Sequence, residues 1–249
     1  MDRSELKGRV AVVTGGSRGI GKGICVALAE AGAHIVFSYS SNQDAAERTV
    51  ELVRSFNVNC IAFQANAGCK DDVADMARKV HQEFGRINIL VNNAGTIGRE
   101  CPVADMPVDE WDHLISIDLR GVFLSAKYFI PLIDTHPVGK IINITSELSK
   151  KGRPNFAHYC AAKGGINSFT RSLALELAPQ ILVNAIAPGP VATDMITADM
   201  EPEWVEKEKD IPLQRLGTVE EIAAVARLLA SDKGNFFRGA GRLQQPHHL

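Results

Sequence analysis

Three residues in the second half of the chain could together move a proton. Tyr159 and Lys163 lie four residues apart at the start of an apolar-periodic segment, so in a helix both project from one face. Ser146 stands thirteen residues before Tyr159, at the end of a β-branched run. A phenol ordinarily ionises at about pH 10 and is a poor acid–base group near neutrality. A neighbouring ammonium favours the phenolate. With Lys163 beside it, Tyr159 could protonate an oxyanion developing on a carbonyl, or take that proton in reverse. Ser146 could hydrogen-bond the same oxygen. A Tyr-x-x-x-Lys pair alone is commonplace on helices, so the reading needs support from elsewhere in the chain.

That support lies near the beginning. Residues 10–14 read as a buried strand running into Thr14-Gly15-Gly16-Ser17-Arg18-Gly19-Ile20-Gly21, followed by a helix at 19–31. Glycines 15, 19 and 21 allow a tight turn and close backbone approach. The helix N-terminus presents free N–H groups and a partial positive charge to a pyrophosphate. The spacing is not G-x-G-x-x-G, and a glycine cluster can also be a plain strand–helix turn. The second strand, 35–39, ends at Tyr39-Ser40-Ser41-Asn42, with no carboxylate before Asp44. A dinucleotide lacking a 2′-phosphate usually meets an acidic residue there. Ser40 and Ser41 can instead donate to a phosphate, and Arg18 can bring a fixed charge. This favours NADP(H) over NAD(H), although serines at a strand end are also turn formers. A cationic nicotinamide would add to the field favouring the Tyr159 phenolate. The strand at 87–92 ends in Asn92-Asn93-Ala94-Gly95, whose small residues would let backbone approach a ribose. Taken alone, that tetrad is an ordinary turn.

The elements that must position these groups alternate along the chain. Further strands are expected at 60–64, 140–145 and 181–187, and further helices at 44–55, 71–84, 108–133, 158–178 and 219–230. Continuous apolar strands separated by helices imply an α/β fold, a doubly wound parallel sheet of Rossmann type in one domain. Ligands in such sheets bind beyond the carboxyl ends of the strands, where the motifs fall. No clean final strand can be read in the last residues, and 239–249 form an atypical tail. His158 is expected to cap or pack, and Cys160 to pack. Asp71 and Asp72 should favour a helix N-terminus rather than hold a metal.

Composition narrows the partners. The 249 residues carry 27 Lys+Arg against 29 Asp+Glu, too even a balance for a nucleic-acid footprint or an anionic membrane surface. The polar start offers no secretory core, and no apolar run is long enough to span a bilayer. Five cysteines without paired spacing argue against a disulfide framework or zinc site, so a reducing, cytoplasmic setting is expected.

Together these motifs resemble the short-chain dehydrogenase/reductase family in its single-domain form, most of all its 3-oxoacyl-carrier-protein reductase-like members, over residues 8 to about 234. The resemblance implies that Gly15, Ser17, Arg18, Gly19, Ile20 and Gly21 line the cofactor phosphates. It places Asn66 and Ala67 at the adenine and Asn93, Ala94 and Gly95 at the ribose side, next to the cofactor residues Tyr39, Ser40 and Ser41 read from the strand end. The segment Pro188-Gly189-Pro190-Val191-Ala192-Thr193 is similar to one covering the nicotinamide amide. The active-site Ser, Tyr and Lys fall on Ser146, Tyr159 and Lys163, with Lys163 also holding ribose hydroxyls. The family further implies pairing of copies through the helices at 108–133 and 158–178, as a homotetramer or dimer. Four departures stand out. Asp118 occupies the usual place of the Asn completing a proton relay, and Asn66 that of an Asp at the adenine. The turn at 178–181 is one residue short, and the usual closing strand is absent. A small-molecule carbonyl or secondary alcohol is the expected substrate. An NAD-linked alcohol or sugar dehydrogenase, or a catalytically weak dinucleotide-binding protein, are the alternatives. The pocket-shaping stretches, 147–156 and about 195–210, carry no transferable code.

Overall fold

The computed structural model describes residues 4–193, 209 and 211–237. The pocket segment at about 195–210, Lys209 apart, and the atypical tail at 239–249 therefore lie outside the described residues. Six parallel strands form one sheet: β1 (Val10–Val13), β2 (His34–Tyr39), β3 (Cys60–Gln64), β4 (Ile89–Asn92), β5 (Gly139–Ile144) and β6 (Ile181–Ile186). Their order is β3-β2-β1-β4-β5-β6, the doubly wound arrangement expected. The chain direction of winding reverses between β1 and β4, so a crevice opens there beyond their carboxyl ends. Both motif-bearing turns, after Val13 and after Asn92, lead into that crevice.

Successive residues of a strand point to opposite faces, and both faces are covered here. Val13 and Phe37 pack with Ile24 and Leu28 of α1 (Gly19–Glu30) on one face. Val12, Val36 and Leu90 pack on the other with Val80 of α3 (Lys70–Phe84), Phe129 and Leu173. Each such fully buried side chain stabilises the fold by about 1.5–3 kcal/mol relative to exposure. Between β2 and β3 runs α2 (Gln43–Arg54), whose first turn is capped by Asn42 accepting from the Ala45 N–H at 2.9 Å.

The continuous helix expected at 108–133 is not what forms. α4 (Val108–Ile115) passes into a single wide π turn, Ser116–Arg120, before α5 (Gly121–Phe129). A short 3₁₀ turn, Ile130–Leu132, carries Pro131 and ends the run. The π turn adds residues without breaking the apolar stripe, and such turns concentrate at functional sites. A four-residue helix, α6 (Leu148–Lys151), follows Ser146 unannounced by any periodicity. α7 (Ala157–Glu176) then carries Tyr159 and Lys163, and α8 (Val219–Ala230) packs on α1.

Candidate active site

The turn after β1 is held from three sides. Gly15 has φ +68°, which glycine adopts without strain, and its N–H donates to Ser38 Oγ at 3.2 Å. At Gly21 a side chain is excluded: a Cβ would lie 2.1 Å from the Gly15 carbonyl oxygen. Asn93 donates both hydrogens of its amide nitrogen here, to the carbonyls of Thr14 and Gly15, each at 3.0 Å. Thr14 Oγ1 in turn accepts from the Asn93 and Ala94 N–H groups at 3.0 Å. The Asn93 side chain thus fastens the two turns together. Its backbone, with Ala94 and Gly95, is what remains to line the crevice. Arg18 flanks α1 in extended conformation and its side chain makes no cap bond. The first N–H groups of this twelve-residue helix therefore keep their affinity for an anion.

The ends of β2 and β3 form the next wall. Ser40 and Ser41 are exposed, and Arg18 is exposed at the start of α1. Gln64 Nε2 donates to the Ser40 carbonyl at 3.0 Å and fixes the strand end. A cavity of about 380 Å³ opens beside it, lined by Ser40, Phe63, Gln64, Asn66 and Asp72 among others. Asn66 already has local partners: its Oδ1 accepts from the Gly68 N–H, and its N–H donates to Asp72 Oδ2, both at 2.9 Å. Asp71 and Asp72 do lie in the first turn of α3, as expected.

On the far side of the crevice, Ser146 follows β5 and is buried, its Oγ accepting from the Leu148 N–H at 3.2 Å. Tyr159 is half-buried in the first turn of α7. One turn on, Lys163 is 5% exposed and its Nζ lies 5.4 Å from the centre of the Tyr159 ring. A polar ladder sets this helix over the strands. Asn92 Nδ2 donates to Asn143 Oδ1, and Asn143 Nδ2 to Thr170 Oγ1 on α7, both at 2.8 Å.

Asp118 completes the cluster from the π turn. It is fully buried; its Oδ2 stands 2.9 Å from Lys163 Nζ, and its Oδ1 accepts from the Thr96 N–H at 2.8 Å. Burial pulls the Lys163 ammonium toward a lower pKa. The Asp118 carboxylate, helped by the Tyr159 oxygen, outweighs that and leaves it above the ordinary lysine value. Gly95 makes room for the pair, since a Cβ there would meet Asp118 Oδ2 at 2.8 Å and Lys163 Nζ at 3.1 Å. Gly15, Gly21 and Gly95 pack the two turns and the ion pair tightly together, and the uncapped N-terminus of α1 beside them offers the N–H groups that a dinucleotide's pyrophosphate needs, so these residues fit one.

The remaining expected residues gather around it. Thr193 lies beside Gly19, its Cγ2 3.5 Å from where a Cβ would stand. The Ala192 N–H donates to the Gly217 carbonyl and the Glu147 N–H to the Pro188 carbonyl, both at 2.9 Å. Residues 188–193 thereby run from Glu147, next to Ser146, to Gly19 in the turn after β1, with Gly189 beside the Glu147 carboxylate. His158 packs, fully buried and stacked on Phe156. All five cysteines are free thiols. Among the described residues, no helix is long and apolar enough to cross a membrane, and no cluster of metal-binding side chains occurs. Sequence reasoning missed Ser38 and Arg120. Ser38 reads as one more strand residue, and Arg120 as one more helix-surface cation.

Known proteins share this fold. A family model described as enoyl-(acyl carrier protein) reductase matches residues 15–241. The 3-oxoacyl-[acyl-carrier-protein] reductase of Staphylococcus epidermidis is 39% identical over 233 residues, covering 92% of this chain and 94% of that protein. A short-chain dehydrogenase/reductase from Serratia marcescens superposes with a TM-score of 0.89 at 30% identity, over 94% of this chain and 95% of the other. A short-chain dehydrogenase from Burkholderia cenocepacia, solved in complex with NADP, gives 0.87 at 29% identity over the same shares.

Proposed function

The chain belongs to the short-chain dehydrogenase/reductase family of oxidoreductases, and we propose that it is an NADP(H)-dependent reductase of a small or medium carbonyl compound. The observation carrying this reading is the buried Lys163 ammonium beside the Tyr159 ring, at the lip of a glycine-lined crevice. A nicotinamide bound there would supply the hydride for the carbonyl carbon, or take one from a secondary alcohol. Tyr159 gives its phenolic proton to the carbonyl oxygen as negative charge develops there, and recovers it in the reverse direction. Ser146, at the same end of β5, donates a hydrogen bond to that oxygen. Lys163 holds the ribose hydroxyls and favours the phenolate, while Asp118 and the Thr96 N–H hold Lys163 in place. The Ser17–Gly21 turn with the α1 N-terminus takes the pyrophosphate. Asn66 and Ala67 take the adenine, and Ser40, Ser41 and Arg18 the 2′-phosphate.

The relative's name, 3-oxoacyl-[acyl-carrier-protein] reductase, makes a β-ketoacyl compound the first substrate to try. Exposed Trp111 and Phe123 on α4 and α5, and Leu175 on α7, support pairing of copies through these helices. The decisive experiment is NADPH oxidation with a β-ketoester, comparing the wild type with Tyr159→Phe. The variant should lose about 10²–10⁴-fold in rate and keep most of its cofactor affinity. Retained turnover would remove Tyr159 from the mechanism. No turnover by the wild type across a diketone and β-ketoester panel would favour a dinucleotide-binding protein without catalysis.

A further inference from the structure

The wide turn that carries Asp118 also touches the opposite end of the crevice. Two residues on, Arg120 donates from Nη1 to the carbonyl of Gly68. Gly68 itself is pressed against the turn, since a Cβ there would lie 3.0 Å from the Ser116 carbonyl oxygen. Gly121 is pressed against Ala67 in the same way, at 3.0 Å from its carbonyl oxygen. Six consecutive residues, 116–121, thus hold the loop at Ala67–Gly68 with one set of contacts. With another, through Asp118, they hold Thr96 and the Lys163 ammonium.

We propose that this turn mechanically links the adenosine end of the crevice to Lys163, and that Arg120 is the positioning residue that closes the link. The inference rests on the reading of Asn66 and Ala67 as the adenine contact and of Lys163 as a partner of Tyr159. The physical reason is lack of slack. At Gly68 and Gly121 the glycine backbone lies directly against Ser116 and Ala67, both their carbonyls and their short side chains, and packed interiors transmit small displacements rather than absorb them. A loop seated by the adenine therefore sets the turn, and the turn sets the carboxylate that holds Lys163. The π geometry makes this possible: the added residue lets Asp118 point to the ammonium while Arg120 reaches the loop. Binding energy from the far end of the cofactor is in this way used at the reacting centre.

The test compares Arg120→Met and Arg120→Lys with the wild type in NADPH-dependent reduction of a β-ketoester, across pH. Arg120→Met should lower kcat about tenfold while changing KM for NADPH by less than about threefold, as expected when reacting groups are misplaced but binding persists. Its basic limb in the pH profile should move in the same direction as that of Asp118→Asn. In the double variant the shift should not exceed that of Asp118→Asn alone, because both act through one contact. Arg120→Lys, which keeps a cationic donor, should recover part of kcat. A rise in KM alone, independent shifts that add, or a Lys variant no better than Met would each overturn the link. An unsubstituted enzyme that does not turn over NADPH would overturn the reading of Lys163 and Tyr159 as reacting groups instead, so the two failures are separable.

Discussion

Replacing Asp118 by Asn removes one negative charge and almost no volume. The carboxylate lies 2.9 Å from Lys163 Nζ, which is 5.4 Å from the Tyr159 ring centre. Its charge is therefore no more than about 8 Å from that centre, where a unit charge at an effective dielectric of about 20 is worth roughly 2 kcal/mol. Asp118 offsets part of the cationic field that Lys163 places on the ring, and its loss leaves that field unopposed. The alcohol-oxidation rate of Asp118→Asn should rise at lower pH than that of the wild type, and exceed it near neutrality. The assay is initial-rate alcohol oxidation with saturating NADP⁺ over the alkaline range. Superimposable profiles would show that the carboxylate has no electrostatic effect on the acid–base group. A shift to higher pH would show that Lys163 needs Asp118 to stay protonated, and would refute the reasoning outright.

Other outcomes follow from the same geometry. NADPH should bind at least about tenfold more tightly than NADH, since Ser40, Ser41 and Arg18 can offer one or two charge-assisted hydrogen bonds of about 1.5–3 kcal/mol each. Ser40→Asp should reverse the preference, and equal dissociation constants by calorimetry would remove the 2′-phosphate assignment. Gly21→Ala places a methyl 2.1 Å from a backbone oxygen, so cofactor affinity should fall at least about tenfold by titration; unchanged affinity would mean that the pyrophosphate does not use this turn. Because Lys163 holds its proton more tightly folded than unfolded, the pair's contribution is complete below the ordinary lysine value of 10.5 and is lost as pH rises through the raised folded value. Asp118→Ala should cost about 3–5 kcal/mol at neutral pH, read as Tm. The gap from the wild type should narrow in strong alkali.

Much of this was legible in the residues because the signals are local. β-branched runs such as Val10–Val13 and Ile181–Ile186 can only be strands between glycine-bearing turns, and the parallel order follows from the helices between them. Helix ends at Gly32 and Gly85 are marked by the positive φ those positions adopt. Tyr159 and Lys163 announce their shared face by spacing alone. The π turn was not legible, since 116–120 contain neither Gly nor Pro and the apolar stripe continues from Leu114 to Val122 on either side. Nor was the role of Asn93: the residues suggest a ribose-side turn, whereas the locking of Thr14 and Gly15 depends on β1 and β4 being neighbours. Arg120 gave no signal for the same reason, its partner lying 52 residues away in the chain.

That dependence on neighbours also explains why an aspartate can stand at 118. The side chain there faces two donors, the Thr96 N–H and the Lys163 ammonium, on its two oxygens. A carboxylate offers acceptors to both, whereas an amide offers one acceptor and must turn an NH₂ group toward the other donor. In this chain the buried donor set therefore matches Asp better than Asn. The gain in the ion pair and the opposing field on Tyr159 come from the same charge. A chain that holds Lys163 this firmly should accordingly reach its full oxidation rate at higher pH than one with an amide at 118.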